Sequence, residues 1–170
     1  MSPSGLVLIA DAVHSSSVER FAAERDRRLT ALSHEQMAAG RIGVPYAITA
    51  WDEFQTVVAG PGHLAQVVWS LRLSFRPMHL RVGLGLGEIA SMPRGSEALN
   101  VAGSGQAFGF AREAIDSLKR RTGKYLSLTA FRGTDHEEES VVNGLFRLLD
   151  TLLLRVTSRQ WETIAAVERA

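Results

Sequence analysis

The apolar residues change their period several times along the chain, and each change marks an element. Leu6 to Ala10 is an unbroken apolar run closed by Asp11, the pattern of a central strand buried on both faces. Val18, Phe21, Ala22, Leu29 and Leu32 then recur at helical spacing, with Glu19, Arg20, Glu24, Asp26 and Arg27 opposite. That predicts a helix over about 18–37, with the hydroxyls of "HSSS" (14–17) as its cap. In "YAITAWDEFQTVVA" (46–59) two β-prone runs flank Asp52-Glu53, which predicts a hairpin with strands over about 46–51 and 54–59. Pro61 suits a first helical turn, and Leu64, Val67, Val68, Leu71 and Phe75 stripe a helix over about 62–75.

Leu80, Val82, Leu84 and Leu86 alternate with Arg81, Gly83, Gly85 and Gly87. Period two means a strand, over about 80–86. Its glycine face carries no side chains, so a helix, a backbone or a ligand must approach it closely. Phe108, Ala111, Ala114, Ile115 and Leu118 stripe a helix over about 105–121 that leaves Lys119 and Arg120 in water. "KYLSLTAF" (124–131) reads as a strand and "RGTDHEEES" (132–140) as a solvated acidic loop. Val142, Leu145, Leu149, Leu152 and Leu153 stripe a further helix, and Thr157 with Gln160 forms a capping box that opens the last.

The order is β-α-β-β-α-β, then α-β, then two helices. The chain is therefore α+β, with a ferredoxin-like split βαβ core, a mostly antiparallel sheet and helices on one face. Residues 1–135 form that core domain and 136–170 a C-terminal helical segment. Leucine-rich residues 145–154 call for burial against something, so a homodimer through the C-terminal helices is expected.

Composition narrows the class. With 170 residues, 45% hydrophobic and 22% charged, the sequence is that of an ordinary globular domain with an appendage. A net charge of +1 gives no global pull toward nucleic acid or acidic lipid. The absence of cysteine excludes disulfides and thiolate metal sites, and fits the cytoplasm. No signal peptide and no membrane span is legible, so no membrane partner is expected.

The acidic pair in the hairpin raises the chemistry. Tight hairpin turns favour Asn-Gly or Asp-Gly, and Asp52-Glu53 supplies no glycine. In a split βαβ sheet the end of strand one lies near this hairpin, so Asp11 and Asp52 are expected to converge across adjacent strands. Paired carboxylates suit Mg²⁺ or Mn²⁺. Glu53 reads either as a third ligand or as a solvated turn residue. Gly103 and Gly105 enter a helix, where free amides favour an anion; a plain glycine-rich connection is the other reading. Arg112 is a candidate phosphate clamp. "GLGLGE" is neither a Walker nor a Rossmann motif, and the five histidines show no ligand spacing.

"IADAVHSS", "AWDEFQ", "RVGLGLGEI" and "GQAFGFAREAI" stand in the order seen in the SatD family, which the chain resembles over about Gly5 to Arg121. The hairpin motif in turn resembles that of GGDEF diguanylate cyclases and class III nucleotidyl cyclases. The resemblance implies a palm-like fold, and it implies that Asp11 and Asp52 hold two metals on a nucleoside triphosphate while Arg112 steadies the phosphate. Two positions depart from the pattern. Trp51 stands where the family usually has glycine, and fills the nucleotide's room or stacks on a base. Phe108 stands where the cyclases often have asparagine. The expected function is a nucleotide- or metal-binding regulatory module of cyclase-like fold. The alternative is a metal-dependent nucleotidyl cyclase or transferase using Asp11, Asp52 and Arg112. A third reading is a transcription-associated protein, because the tail resembles the start of a helix-turn-helix. Nucleic acid is a partner only if a recognition helix follows Ala170.

Overall fold

The first strand organises the molecule. In the computed structural model, which describes residues 4–13, 15, 19–91, 103–120 and 127–168, β1 (Ser4–Ala12) lies at the centre of a five-stranded sheet. Around it the chain builds α1 (Phe21–Ala38), β2 (Ala47–Ile48), β3 (Glu53–Val58), α2 (Leu64–Ser74), β4 (Leu80–Glu88), α3 (Gln106–Lys119), β5 (Thr129–Arg132), α4 (His136–Leu153) and α5 (Ser158–Val167). The strand order is β2-β3-β1-β4-β5. The first four strands pair antiparallel with one another, and β5 is parallel to β4 through the α3 crossover. This is the ferredoxin-like βαββαβ core expected, extended by one α-β unit and two helices.

Alternation along β1 feeds two cores. Leu6, Leu8, Ala10 and Ala12 point to the face covered by α1 and α2, where they meet Phe21, Leu29, Val67 and Leu71. Val7 and Ile9 point to the other face, against Ala107, Ala111 and Ile115 of α3. The glycine face of β4 receives that same helix. A Cβ at Gly85 would lie 2.1 Å from Ala107 O, and one at Gly83 would lie 2.6 Å from Ala111 O. The obstacle is helix backbone, which cannot swing aside. Gly85→Ala is expected to cost about 1–3 kcal/mol through overpacking, read as a lower urea midpoint; an unchanged midpoint would mean α3 is loosely seated.

α4 covers the open edge of β5 with side chains that imitate a neighbouring strand. Asn143 accepts from Phe131 N and donates to Phe131 O, both at 2.9 Å. Asp150, wholly buried, accepts from the amides of Leu128 and Thr129 at 2.7 Å each and pairs with Arg72 of α2 at 2.6 Å. An edge strand left bare invites further pairing. α5 folds back so that Trp161 packs on Trp69 at 5.7 Å between ring centroids, with the Arg76 guanidinium 3.5 Å over its ring.

Three expectations are corrected. β2 spans two residues rather than six, because Ala50 to Glu53 form a tight turn in which Glu53 N donates to Ala50 O. The acidic segment is not a loop but the start of α4. Asp135 caps the amides of Glu137 and Glu138, and Glu137, Glu138 and Glu139 occupy the first turn, where the helix dipole favours negative charge. Arg20, at φ 57°, holds the N-cap of α1 with no side-chain cap, while 14, 16 and 17 lie outside the described residues. Lys119 and Arg120 are exposed, as expected, but the Lys119 ammonium is also paired, as described below. The early part of the expected strand at 124–131 also lies outside the described residues. No helix among the described residues is long and apolar enough to cross a membrane.

Candidate functional site

The register of β1 decides which acids meet. Asp11 stands opposite Glu53 of β3 on one side and Arg81 of β4 on the other. Glu53, not Asp52, is therefore the cross-strand partner of Asp11. One residue of register moves a side chain to the opposite face, and Glu53 begins the strand while Asp52 remains in the turn. Asp52 stays beside the end of β1 but makes other contacts: its carboxylate accepts from Ser15 Oγ at 3.2 Å, and its carbonyl accepts from Ala12 N at 3.0 Å.

Both facing carboxylates are buried, Asp11 at 3% exposure and Glu53 at 5%, so each must be compensated. α3 supplies most of the compensation. Arg112 and Lys119 are seven residues apart, two helical turns, and so share a face. Arg112 grips Glu53 with both terminal nitrogens, at 2.6 and 2.7 Å. Lys119 Nζ lies 3.3 Å from Asp11 Oδ2 and 3.3 Å from Glu53 Oε2, bridging the two acids. Arg81 reaches Asp11 Oδ2 at 3.3 Å, and Thr49 Oγ1 donates to Glu53 Oε1 at 2.7 Å. Three cations thus face two carboxylates, with the outer parts of Arg81, Arg112 and Lys119 partly exposed.

Burial by itself pushes the Glu53 carboxyl up. Hydrogen bonds from Arg112 and Thr49, with the charges of Arg112 and Lys119, outweigh it and bring the group down to about 2 from 4.5. Burial likewise opposes the Lys119 charge, but Asp11 and Glu53 prevail and hold its pKa above the ordinary lysine value. Glu53 binds its proton less readily folded than unfolded. Its stabilising contribution is complete above about pH 4.5 and fades as pH falls toward about 2. Urea midpoints measured across that window should fall more steeply for the native chain than for Glu53→Gln. Parallel curves would show that the ion pair does not contribute to stability.

The remaining candidates take no part in these ion pairs. Trp51 is 60% exposed at the hairpin tip, its ring 6.1 Å from Phe21 and beneath the Arg25 guanidinium at 5.9 Å. Gly103 and Gly105 lie at the far end of α3, whose fourteen residues span about 20 Å. Both have structural tasks there. Gly103 lies under the Phe108 ring, and Gly105, at φ +130°, passes against the backbone of Glu88 and Ala90. Arg81 and Lys119 were not singled out from the sequence. The signals were present, in the i+7 spacing of Lys119 from Arg112 and in Arg81 sharing the glycine face of β4.

Between Asp11 and Glu53 the acidic oxygens are mostly engaged by cations and a hydroxyl of the chain. Asp11 Oδ1 is buried with no hydrogen-bond partner, which is one free ligand atom. The other acidic oxygens at this point are taken by Arg112, Lys119, Arg81 and Thr49, and Asp52 turns to Ser15. Among the described residues no three acidic or histidine side chains gather to hold a metal ion.

The SatD family model matches residues 6–168. The chain belongs to the SatD family. No curated protein matches it significantly. Among solved structures this SatD family chain is similar to the dimeric guanylyl cyclase domain of the RhoGC fusion protein from the aquatic fungus Blastocladiella emersonii. The identity there is 16% and the TM-score 0.49, over 68% of this chain and 74% of that one. It is also similar to the guanylate cyclase domain of RhGC from Catenaria anguillulae in complex with GTP, at 16% identity and TM-score 0.47, over 67% and 72% of the two chains. At such identities the activity of the SatD chain has to be argued from its own residues.

Proposed function

We propose that this SatD family protein is a nucleotide-binding regulatory module that holds its ligand without turning it over. The observation that carries the reading is the position of Lys119 Nζ, 3.3 Å from both Asp11 and Glu53. A monovalent cation of the chain lies between the two carboxylates, so a divalent ion bridging them would have to displace it. Such a cluster is built against metal-assisted transfer. It is suited to an anion, because three cations exceed two carboxylates and a phosphate competes with Glu53 for the guanidinium of Arg112. Trp51, exposed beside Arg25, offers a face on which a base stacks.

The decisive experiment incubates the purified chain with each nucleoside triphosphate, with and without Mn²⁺, following binding by calorimetry and product by mass spectrometry. Binding without product is expected. Arg112→Ala should weaken it about tenfold, the worth of one charge-assisted hydrogen bond of roughly 1.5 kcal/mol. Neither binding nor product would overturn the reading. Product formation lost in Asp52→Asn would overturn it in favour of a metal-dependent nucleotidyl cyclase or transferase. The unpartnered Oδ1 of Asp11 is the one observation that favours that second reading.

A further inference from the structure

α4 turns one apolar face to solvent, and the spacing of that face is not that of a core-facing helix. Val141, Leu145, Leu148 and Leu152 are separated by four, three and four residues, and are 59%, 64%, 62% and 56% exposed. Four-three-four spacing is the a/d seam of a coiled coil, a stripe narrower than the one a helix needs to pack on a sheet. The sheet-facing residues of α4, Asn143, Phe146, Asp150 and Leu153, are already engaged on the other side. The seam therefore has no partner among the described residues.

We propose that α4 pairs through this seam with α4 of a second copy of the chain, antiparallel about a two-fold axis centred between residues 146 and 147. Charge at the ends of the seam selects the occupant and the orientation. Continuing the same spacing, the next residue on the N-terminal side is Glu138 and the next on the C-terminal side is Arg155, in the turn that closes α4 after Leu153 and bonded back to Leu152 O; both are exposed. In an antiparallel coiled coil each a position meets a d position of its mate. Leu145 then meets Leu148 of the second copy, Val141 meets Leu152, and Glu138 meets Arg155. All three pairs share one centre, so a single two-fold axis satisfies every layer. An isologous contact demands self-complementarity of this kind. In a parallel pair Glu138 would meet Glu138 and Arg155 would meet Arg155, which repels. The helix dipoles also oppose when antiparallel. One flank of the seam is small, with Gly144 and Thr151, and a Cβ at Gly144 would meet nothing within 4 Å, so the backbones can approach on that side.

The pairing is modest in extent. α4 has 18 residues, about 27 Å of helix, which places the contact near the low end of specific interfaces, around 1,200 Å². A dimer that dissociates in the micromolar range follows. The inference is independent of the nucleotide reading, since α4 contributes no residue to the Asp11–Glu53 cluster.

Sedimentation velocity on the full chain over about 1 to 100 µM, the range in which small interfaces dissociate, should show a monomer giving way to a dimer. Leu148→Glu, at an exposed position that leaves the fold intact by circular dichroism, should weaken association at least about tenfold. Glu138→Arg alone should weaken it, and Glu138→Arg with Arg155→Glu should restore it, an outcome a parallel pair does not give. The absence of cysteine in the native sequence makes cross-linking unambiguous. Glu138→Cys with Arg155→Cys should form covalent dimers on oxidation, while Glu138→Cys alone should not. A monomer at every concentration overturns the proposal and leaves the face to a different partner. A dimer indifferent to Leu148→Glu, or one cross-linked by Glu138→Cys alone, overturns it as well.

Discussion

Replacing Asp150 with alanine is expected to cost about 3–5 kcal/mol, the usual loss when one member of a buried ion pair is removed. For a domain whose whole stability is about 5–15 kcal/mol, that approaches loss of the fold. The reason lies in what the carboxylate holds. It has no exposure and satisfies the Leu128 and Thr129 amides, the Ser127 hydroxyl at 3.2 Å and the Arg72 guanidinium at 2.6 Å. Arg72 is itself buried, and its Nε and Nη1 already lack partners, so the deletion leaves its charge unpaired, with only the Thr129 hydroxyl to donate to. Two amides at the start of β5 would be orphaned as well. Asp150→Asn keeps an acceptor for those amides but not the charge opposite Arg72, and should fall between the native chain and the alanine variant. Urea unfolding measures all three. Hydrogen exchange at Leu128 and Thr129 should lose protection in the alanine variant before the global transition. A loss below about 1 kcal/mol would show that α4 is not anchored through this carboxylate.

The sequence disclosed the scaffold of this protein more readily than its site, and the difference has a physical cause. Periods of two and 3.6 are properties of single elements, so β1, β4, α2 and α3 were legible from Leu6–Ala10, Leu80–Leu86, Leu64–Phe75 and Phe108–Leu118 alone. The bare face of β4 was legible as a close approach but not as α3, because Gly83 and Gly85 say that something comes near without saying what. Register is a relation between elements, and a shift of one residue exchanges the faces. The acidic pair was therefore visible, yet which acid meets Asp11 was not, and Glu53 rather than Asp52 came to face it. Lys119 reads as a solvated C-terminal lysine on its own helix. Only the crossover that lays α3 over β1 and β4 brings its ammonium between two carboxylates. The glutamates at 137–139 were legible as acidic but not as the first turn of α4, because the Asp135 cap was not recognised.

Removing the Lys119 ammonium should convert this point of the sheet from a closed cluster into a cation site. Two unit charges about 4 Å apart interact by roughly 4 kcal/mol at an effective dielectric of about 20. With Lys119→Ala, Asp11 and Glu53 remain opposed across the register and lose the charge that bridges them. Arg112 still grips Glu53 and Arg81 still reaches Asp11, but neither touches both. Two close carboxylates relieve their repulsion in one of two ways: one takes a proton, or both take a divalent ion. At low pH the first prevails, so the Glu53 carboxyl should titrate higher than the native value of about 2. Near neutral pH the second prevails, and the free Oδ1 of Asp11 becomes the first ligand atom available. Calorimetry with Mn²⁺ should show at least about tenfold tighter binding by Lys119→Ala than by the native chain, a difference of about 1.4 kcal/mol. Lys119→Arg keeps a positive charge between the acids and should show no such gain. A carbon-detected titration of the Glu53 carboxyl checks the proton arm separately from the metal arm. If Mn²⁺ affinity and the Glu53 titration are both unchanged in Lys119→Ala, the ammonium is an onlooker and the acids are neutralised by the two arginines alone. A rise in both would show that the Lys119 ammonium is what holds the two acids together.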